Sequence, residues 1–131
     1  MKTISIAVYG APFSSQASYS AYRFTCAALA KGHQVARVFF YQDGVHNATL
    51  LATPPQDEFD LCNAWRELKQ QHQLDLVVCV AAALRRGVLN ESEAKRHDKA
   101  GWNLPPEFEL SGLGQMVEAA ALSDRFLTFG N

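Results

Sequence analysis

Four short runs of apolar and β-branched residues recur along the chain and predict β-strands. They cover residues 4–9, 34–41, 74–79 and 125–129. The third run does not alternate between apolar and polar residues, which is typical of a strand buried on both faces in a parallel sheet. It ends at Cys79, so the sequence predicts a thiol at the end of a buried strand.

Stretches with helical periodicity lie between the strands of the first half. The first helix has Gly32 as a typical left-handed stop and one stripe of small and aromatic residues, at Ala17, Ala21, Phe24 and Ala28. Residues 45–53 are ambiguous and allow a short helical turn. A second long helix is expected over residues 57–72, with an inner stripe at Leu61, Trp65 and Leu68.

The helices of the second half are shorter. One follows Cys79 directly and ends at Gly87. Residues 90–96 predict another, because Asn90 is a suitable N-cap and Glu93 stands three residues later, as in a capping box.

We expect a loop over residues 97–109, because Gly101 and two consecutive prolines interrupt it. Trp102 and Phe108 would anchor this loop or belong to an interface. Ser111 is the expected N-cap of a last helix, in which one face is shared by Leu113, Val117 and Ala120.

Strands and helices that alternate over short connections predict an α/β fold. We expect a single three-layer domain over residues 1–131, with a mostly parallel sheet flanked by helices. With 131 residues, 48% of them hydrophobic, the chain can bury a core without metals or disulfides.

The charge balance argues against direct nucleic-acid binding. The formal net charge is −1, so the basic excess of nucleic-acid-binding proteins is missing. The first apolar stretch is too short for a signal peptide, and no run approaches the about 20 apolar residues that span a bilayer. We therefore expect a cytoplasmic protein with reduced thiols and no membrane partner.

The three cysteines, Cys26, Cys62 and Cys79, are far apart in the sequence. An odd number without a CxxC pair is typical of neither a disulfide scaffold nor a zinc site. Cys26 and Cys62 fall among apolar residues of predicted helices, where a cysteine is usually a small buried hydrophobe. We predict no metal site, and we assign these two cysteines to structure.

Cys79 allows two interpretations from residue types alone, a core residue or a nucleophile. In parallel α/β sheets, ligands and chemistry collect beyond the carboxyl ends of the strands. A following helix start favours a thiolate, and Arg85 and Arg86 could add to that effect. None of the four histidines shows the spacing of a partner base, so the chemistry that remains open to the thiol is sulfur exchange.

The loop at residues 10–16 is a second candidate site. Between a strand and a helix, its backbone N–H groups could hold the phosphate of a flavin or nucleotide. It matches neither the P-loop nor the GxGxxG pattern, so an ordinary strand-to-helix turn is the simpler interpretation.

The chain as a whole resembles the DsrE-like sulfur-relay family. Four stretches carry the resemblance, at residues 38–48, 57–65, 79–88 and 110–114. The most specific of them reads Cys79-Val80-Ala81-Ala82-Ala83-Leu84-Arg85-Arg86-Gly87-Val88.

The resemblance implies a sulfurtransferase with Cys79 as its catalytic residue and no cofactor. Cys79 would accept sulfur as a persulfide from a TusA-like donor and pass it to a TusE-like acceptor, on the route to 2-thiouridine at the tRNA wobble position. The partners implied are TusB-like and TusC-like subunits, in a heterohexamer of two trimers. Two alternatives stay open: a non-catalytic scaffold subunit of such a complex, and a flavin- or nucleotide-binding module.

Overall fold

The computed structural model describes residues 1–130, which form five strands, five α-helices and one 3₁₀ helix. The strands are β1 Thr3–Val8, β2 Gln34–Phe40, β3 Leu76–Cys79, β4 Phe108–Ser111 and β5 Arg125–Phe129. The helices are α1 Ala17–Ala30, α2 Leu61–His72, α3 Val80–Arg85, α4 Glu91–Arg96 and α5 Gly114–Leu122. The 3₁₀ helix, Gln42–Ala48, begins just before the ambiguous segment and extends into it.

All five strands pair in parallel, in the order β4-β3-β2-β1-β5. The chain moves one strand at a time from β1 to β4 and then returns to the far edge as β5. Because such crossovers are right-handed, this reversal places α5 on the face opposite α1 and α2. The predicted α/β fold with a sheet flanked by helices is confirmed.

The contacts identify the two faces of the sheet. On one face, Trp65 of α2 lies 5.3 Å from the ring of Phe40 and 5.3 Å from that of Tyr22 in α1. On the other, the hydroxyl of Ser5 lies 2.7 Å from that of Ser123, directly after α5. Arg37 also faces α5, because its Nη1 donates to the Gln115 carbonyl at 2.8 Å.

The core lies mainly between the sheet and the α1–α2 pair. The predicted inner stripe of α2 is buried, but the helix begins at Leu61 rather than at residue 57, with Asp60 as its N-cap. In α1 the fully buried positions are Ser18, Ala21, Thr25 and Ala28. Of the predicted stripe, Ala21 and Ala28 are fully buried, Phe24 is partly buried against the core, and Ala17 is only half-buried. The two buried hydroxyls are tolerated because each donates to a backbone carbonyl.

The predicted loop over residues 97–109 runs into a strand, which was not expected from the sequence. Phe108 begins β4 and is buried 5.6 Å from Phe40, whereas Trp102 is 51% exposed. Ser111 ends this strand and is not a helix cap; the N-cap of α5 is Leu113. Pairing with β3 creates a strand only four residues long, whose sequence pattern alone is too short to predict it.

The apolar face predicted for the last helix exists, and it is turned to solvent. Leu113 is 42% and Val117 66% exposed, and Ala120 beside them is exposed as well. We call these three residues the α5 apolar surface. The helix instead buries Ala119 against the protein.

Candidate functional site

Cys79 is the last residue of β3 and the N-cap of α3, as the sequence predicted. Its backbone is extended, with φ −63° and ψ 119°, so its side chain continues the alternation of the strand. It is a free cysteine and only 3% exposed. The thiol is therefore recessed at the carboxyl edge of the sheet.

A row of residues crosses the sheet at the level of Cys79. Cys79 pairs in register with Ser111 on β4. On the other side, Phe40 pairs with Val78, so the next residue, Tyr41, stands beside Cys79. One strand further, Val8 pairs with Phe40, which puts Tyr9 beside Tyr41.

We call Tyr9, Tyr41, Cys79 and Ser111 the terminal row. The two tyrosine rings meet edge to face, with centroids 5.4 Å apart. Side chains of in-register parallel neighbours point to the same face of a sheet. The terminal row therefore places a hydroxyl on one side of the thiol and an aromatic ring on the other.

The terminal row lies on the α5 face of the sheet. Alternation along β3 puts Asp75 on the same side as Cys79, and Asp75 binds Arg37 at 2.7 Å. Arg37 in turn binds Glu118 of α5 at 3.0 Å. The start of α5 reaches the row itself, because the Tyr9 hydroxyl lies 3.8 Å from the sulfur of Met116.

The two arginines after Cys79 have different environments. Arg86 donates from Nε to Asp43 at 2.8 Å and from Nη1 to the Ala82 carbonyl at 3.2 Å, which ties the end of α3 to the 3₁₀ helix. Arg85 is exposed. The guanidinium of Arg86 is therefore engaged at the far end of α3 from the thiol.

A buried polar network joins the elements at this edge of the sheet. Asn47 donates from Nδ2 to the Ser18 hydroxyl at 3.0 Å and to the Gly44 carbonyl at 2.9 Å, and its Oδ1 accepts from Trp65 Nε1 at 3.3 Å. The Ser18 hydroxyl in turn donates to the Gly10 carbonyl at 2.7 Å. Sequence reasoning assigned no role to Asn47; only its place in one of the four family-like stretches could have singled it out.

A second asparagine, Asn103, was also missed. Its Oδ1 accepts from Leu89 N at 3.0 Å, and its Nδ2 donates to the Thr49 hydroxyl and the Gly87 carbonyl. These bonds hold the chain after α3 against the segment after the 3₁₀ helix. No local pattern marks Asn103, because its partners are 14 to 54 residues away in the sequence.

The other two cysteines lie away from the terminal row. Cys62 is buried in α2, and burial raises the pKa of its thiol to about 11. Cys26, in α1, is half-buried beside Tyr22, whose pKa is raised to about 12 by burial and by the neighbouring thiol. Their assignment to structure stays a prediction.

The loop at residues 10–16 does not form a basic cradle. Ser14 N donates within the loop to the Ala11 carbonyl, and the Gly10 carbonyl accepts from Ser18. Cavities of about 390 and 570 Å³ border the loop, and their linings include the carboxylates of Asp43 and Glu58 respectively. Carboxylates at this position disfavour a phosphate, so the structure lends no support to the flavin or nucleotide alternative.

Among residues 1–130, no group of three or more His, Cys, Asp or Glu side chains is placed to hold a metal ion. No helix within the same residues is long and apolar enough to cross a membrane.

Residues 2–129 match the model of the DsrE/DsrF-like family. The chain belongs to this family. The crystal structure of the ychN protein from E. coli superposes with a TM-score of 0.78 at 20% identity, over 98% of this chain and 100% of that one. The fold of the two proteins is therefore the same.

Sequence relatives are much closer. The protein DsrE of Allochromatium vinosum is 57% identical, over 92% of each chain. The sulfurtransferase TusD homolog of Pseudomonas aeruginosa is 56% identical over 95% of each chain. The sulfurtransferase TusD of Sodalis glossinidius is 53% identical over 93% of this chain and 94% of that protein. The prediction of a sulfurtransferase is confirmed at this level.

Proposed function

We propose that Cys79 carries sulfur as a persulfide, which it accepts from a TusA-like donor and passes to a TusE-like acceptor. The observation that supports this most is the position of Cys79, a free cysteine between a buried parallel strand and a helix start. The product of the route would be 2-thiouridine at the tRNA wobble position, made without direct contact of this chain with tRNA. We further propose that residues 1–131 form a single sulfurtransferase domain.

The chemistry requires only sulfur exchange. The Cys79 thiolate attacks the outer sulfur of the donor persulfide, a new S–S bond forms on Cys79, and the S–S bond of the donor breaks. The donor thiolate leaves with the electron pair and takes up a proton. In the second step the acceptor thiolate attacks the outer sulfur on Cys79 and regenerates the Cys79 thiolate, so no external oxidant or reductant is consumed.

The recessed position of the thiol suits a relay. A thiol that is 3% exposed is poorly accessible to free small thiols, which would otherwise remove the carried sulfur. A donor cysteine must then reach the edge of the sheet beside Ser111, which is half-buried and lies on the outermost strand. Transfer to and from protein partners that fit this edge is thereby favoured over slow reaction with free small molecules.

We also propose that TusB-like and TusC-like subunits cover part of this chain, in a heterohexamer of two trimers. The α5 apolar surface supports this, because apolar residues clustered on one exposed helix face are typical of interaction sites. A cytoplasmic location follows from the same proposal, since reduced thiols persist there.

The main alternative is a scaffold subunit that transfers no sulfur. To separate the two, the complete complex is given a donor loaded with labelled sulfur, and the mass of each cysteine peptide is measured. We expect one additional sulfur on the Cys79 peptide and loss of transfer in Cys79→Ser, with transfer retained in the matched control Cys26→Ser. Full transfer by the Cys79→Ser complex would overturn the proposal and favour the scaffold.

A further inference from the structure

We infer that Ser111 is a second catalytic residue, whose hydroxyl donates a hydrogen bond to the sulfur anion on Cys79. This inference rests on the proposed function of Cys79 and concerns the same site. It also gives a role to the stretch at residues 110–114, which the function described above does not use.

The register of the sheet brings the two side chains together. Cys79 and Ser111 are direct partners in the β3–β4 ladder, so their Cα atoms are about 4.8 Å apart. Both side chains project on the α5 face. A persulfide adds one S–S bond of about 2.05 Å to the cysteine, which lets its outer sulfur span part of the gap to the Ser111 hydroxyl.

The Ser111 hydroxyl is available as a donor. Within residues 1–130 it makes no hydrogen bond to another protein group, the uncharged Cys79 thiol included, so its side chain is free to rotate toward a sulfur anion when one forms. It is half-buried and belongs to β4, the edge strand of the sheet, so no further strand lies beyond it on this side. A serine hydroxyl has one donor hydrogen, and a nearby anion is its strongest acceptor.

Other groups around the thiol are less suited to this task. The Tyr41 ring packs against Tyr9, and Glu109, on the same face of β4, is an exposed carboxylate that would repel an anion. The Arg86 guanidinium is bound to Asp43 at the far end of α3. The Arg37–Asp75 pair lies at the opposite end of β3. Ser111 thus supplies an uncharged side-chain donor next to the sulfur.

The hydrogen bond would act at both stages of the relay. Before acceptance it stabilises the Cys79 thiolate, and afterwards it stabilises the anionic outer sulfur until the acceptor attacks. No proton is transferred by Ser111, and the atoms that exchange remain those of the two S–S bonds.

The test measures the pH dependence of Cys79 alkylation by iodoacetamide, read by mass on the Cys79 peptide of the full chain. In Ser111→Ala we expect the midpoint of this profile to rise by about one pH unit, because a hydrogen bond to an anion is lost. The midpoint is compared rather than the rate, since a thiolate's intrinsic reactivity also changes with its basicity.

Two variants make the result specific. Ser111→Thr keeps the hydroxyl and should restore the wild-type midpoint, and Ser92→Ala, an exposed serine of α4, should leave it unchanged. An unchanged midpoint in Ser111→Ala, or an equal shift in Ser111→Thr, would overturn the role of Ser111. Either result leaves sulfur transfer through Cys79 intact, whereas transfer by Cys79→Ser refutes the proposed function and not this hydrogen bond.

Discussion

The Asn47 network predicts a large loss of stability when one small side chain is removed. Asn47→Ala deletes three buried hydrogen bonds, to Ser18, to the Gly44 carbonyl and from Trp65. Each neutral bond contributes about 1 kcal/mol net, so the free energy of unfolding should fall by about 3 kcal/mol. The indole N–H that is left buried without an acceptor acts in the same direction. The fold should survive, because domains are stable by about 5–15 kcal/mol.

Urea unfolding followed by circular dichroism measures this loss, with Asn63→Ala as the matched control. Asn63 is an exposed residue of α2 that bonds to Asp60 at the surface, so its replacement should cost less than about 1 kcal/mol. Both variants replace asparagine by alanine, so the difference between their free energies of unfolding reports the effect of burying the amide.

A double-mutant cycle with Trp65→Phe tests the mechanism rather than the size of the effect. Because phenylalanine has no N–H, Asn47→Ala should destabilise the Trp65→Phe background by about 1 kcal/mol less than it destabilises the wild type. A loss below about 1 kcal/mol for Asn47→Ala, or strict additivity in the cycle, would refute the reasoning that the network joins these elements.

Three further outcomes are expected. A Cβ atom on Gly44 would overlap with the Val8 carbonyl oxygen, so Gly44→Ala should destabilise the chain by about 3 kcal/mol or more in urea unfolding; wild-type stability would contradict this contact. Since burial raises the pKa of Cys62 to about 11, about 100-fold less of it is thiolate at pH 8 than for a free thiol, and the greater reactivity of the more basic thiolate offsets part of this loss. Iodoacetamide should therefore alkylate Cys62 at least about 10-fold more slowly than a free thiol, and equal rates would be inconsistent with that environment. Burial raises the pKa of Glu107, but the hydrogen bonds from Arg66 at 2.9 Å, from the backbone and from Gln70, together with the Arg66 charge, outweigh this and hold the pKa below its usual value. The stabilising effect of Glu107 is therefore present above the unfolded-state pKa and lost as the pH falls through the folded-state pKa. Glu107→Gln should weaken the pH dependence of the free energy of unfolding below about pH 4. An unchanged pH dependence in this range would count against the ion pair.

Local patterns determined much of this protein. The apolar run that ends at Cys79 predicted both the buried strand and the position of the thiol, because a strand covered on both faces needs a continuous apolar sequence. The stripe that contains Trp65 predicted the inner face of α2, since helical periodicity brings residues three and four apart to one side. Gly32 and Gly87 were expected to end helices, and both adopt positive φ.

Tertiary structure decided what the sequence left open. The strand β4 forms by pairing with β3, so Ser111 becomes a neighbour of Cys79 although 32 residues separate them along the chain. The same topology carries α5 across the sheet and leaves Val117 exposed, where periodicity alone could not tell an inner face from an outer one. Asn47 likewise gains its role only when α1, α2 and the 3₁₀ helix meet. The physical reason is common to all three: register, strand order and buried hydrogen bonds depend on residues distant in sequence, and a local pattern contains no information about them.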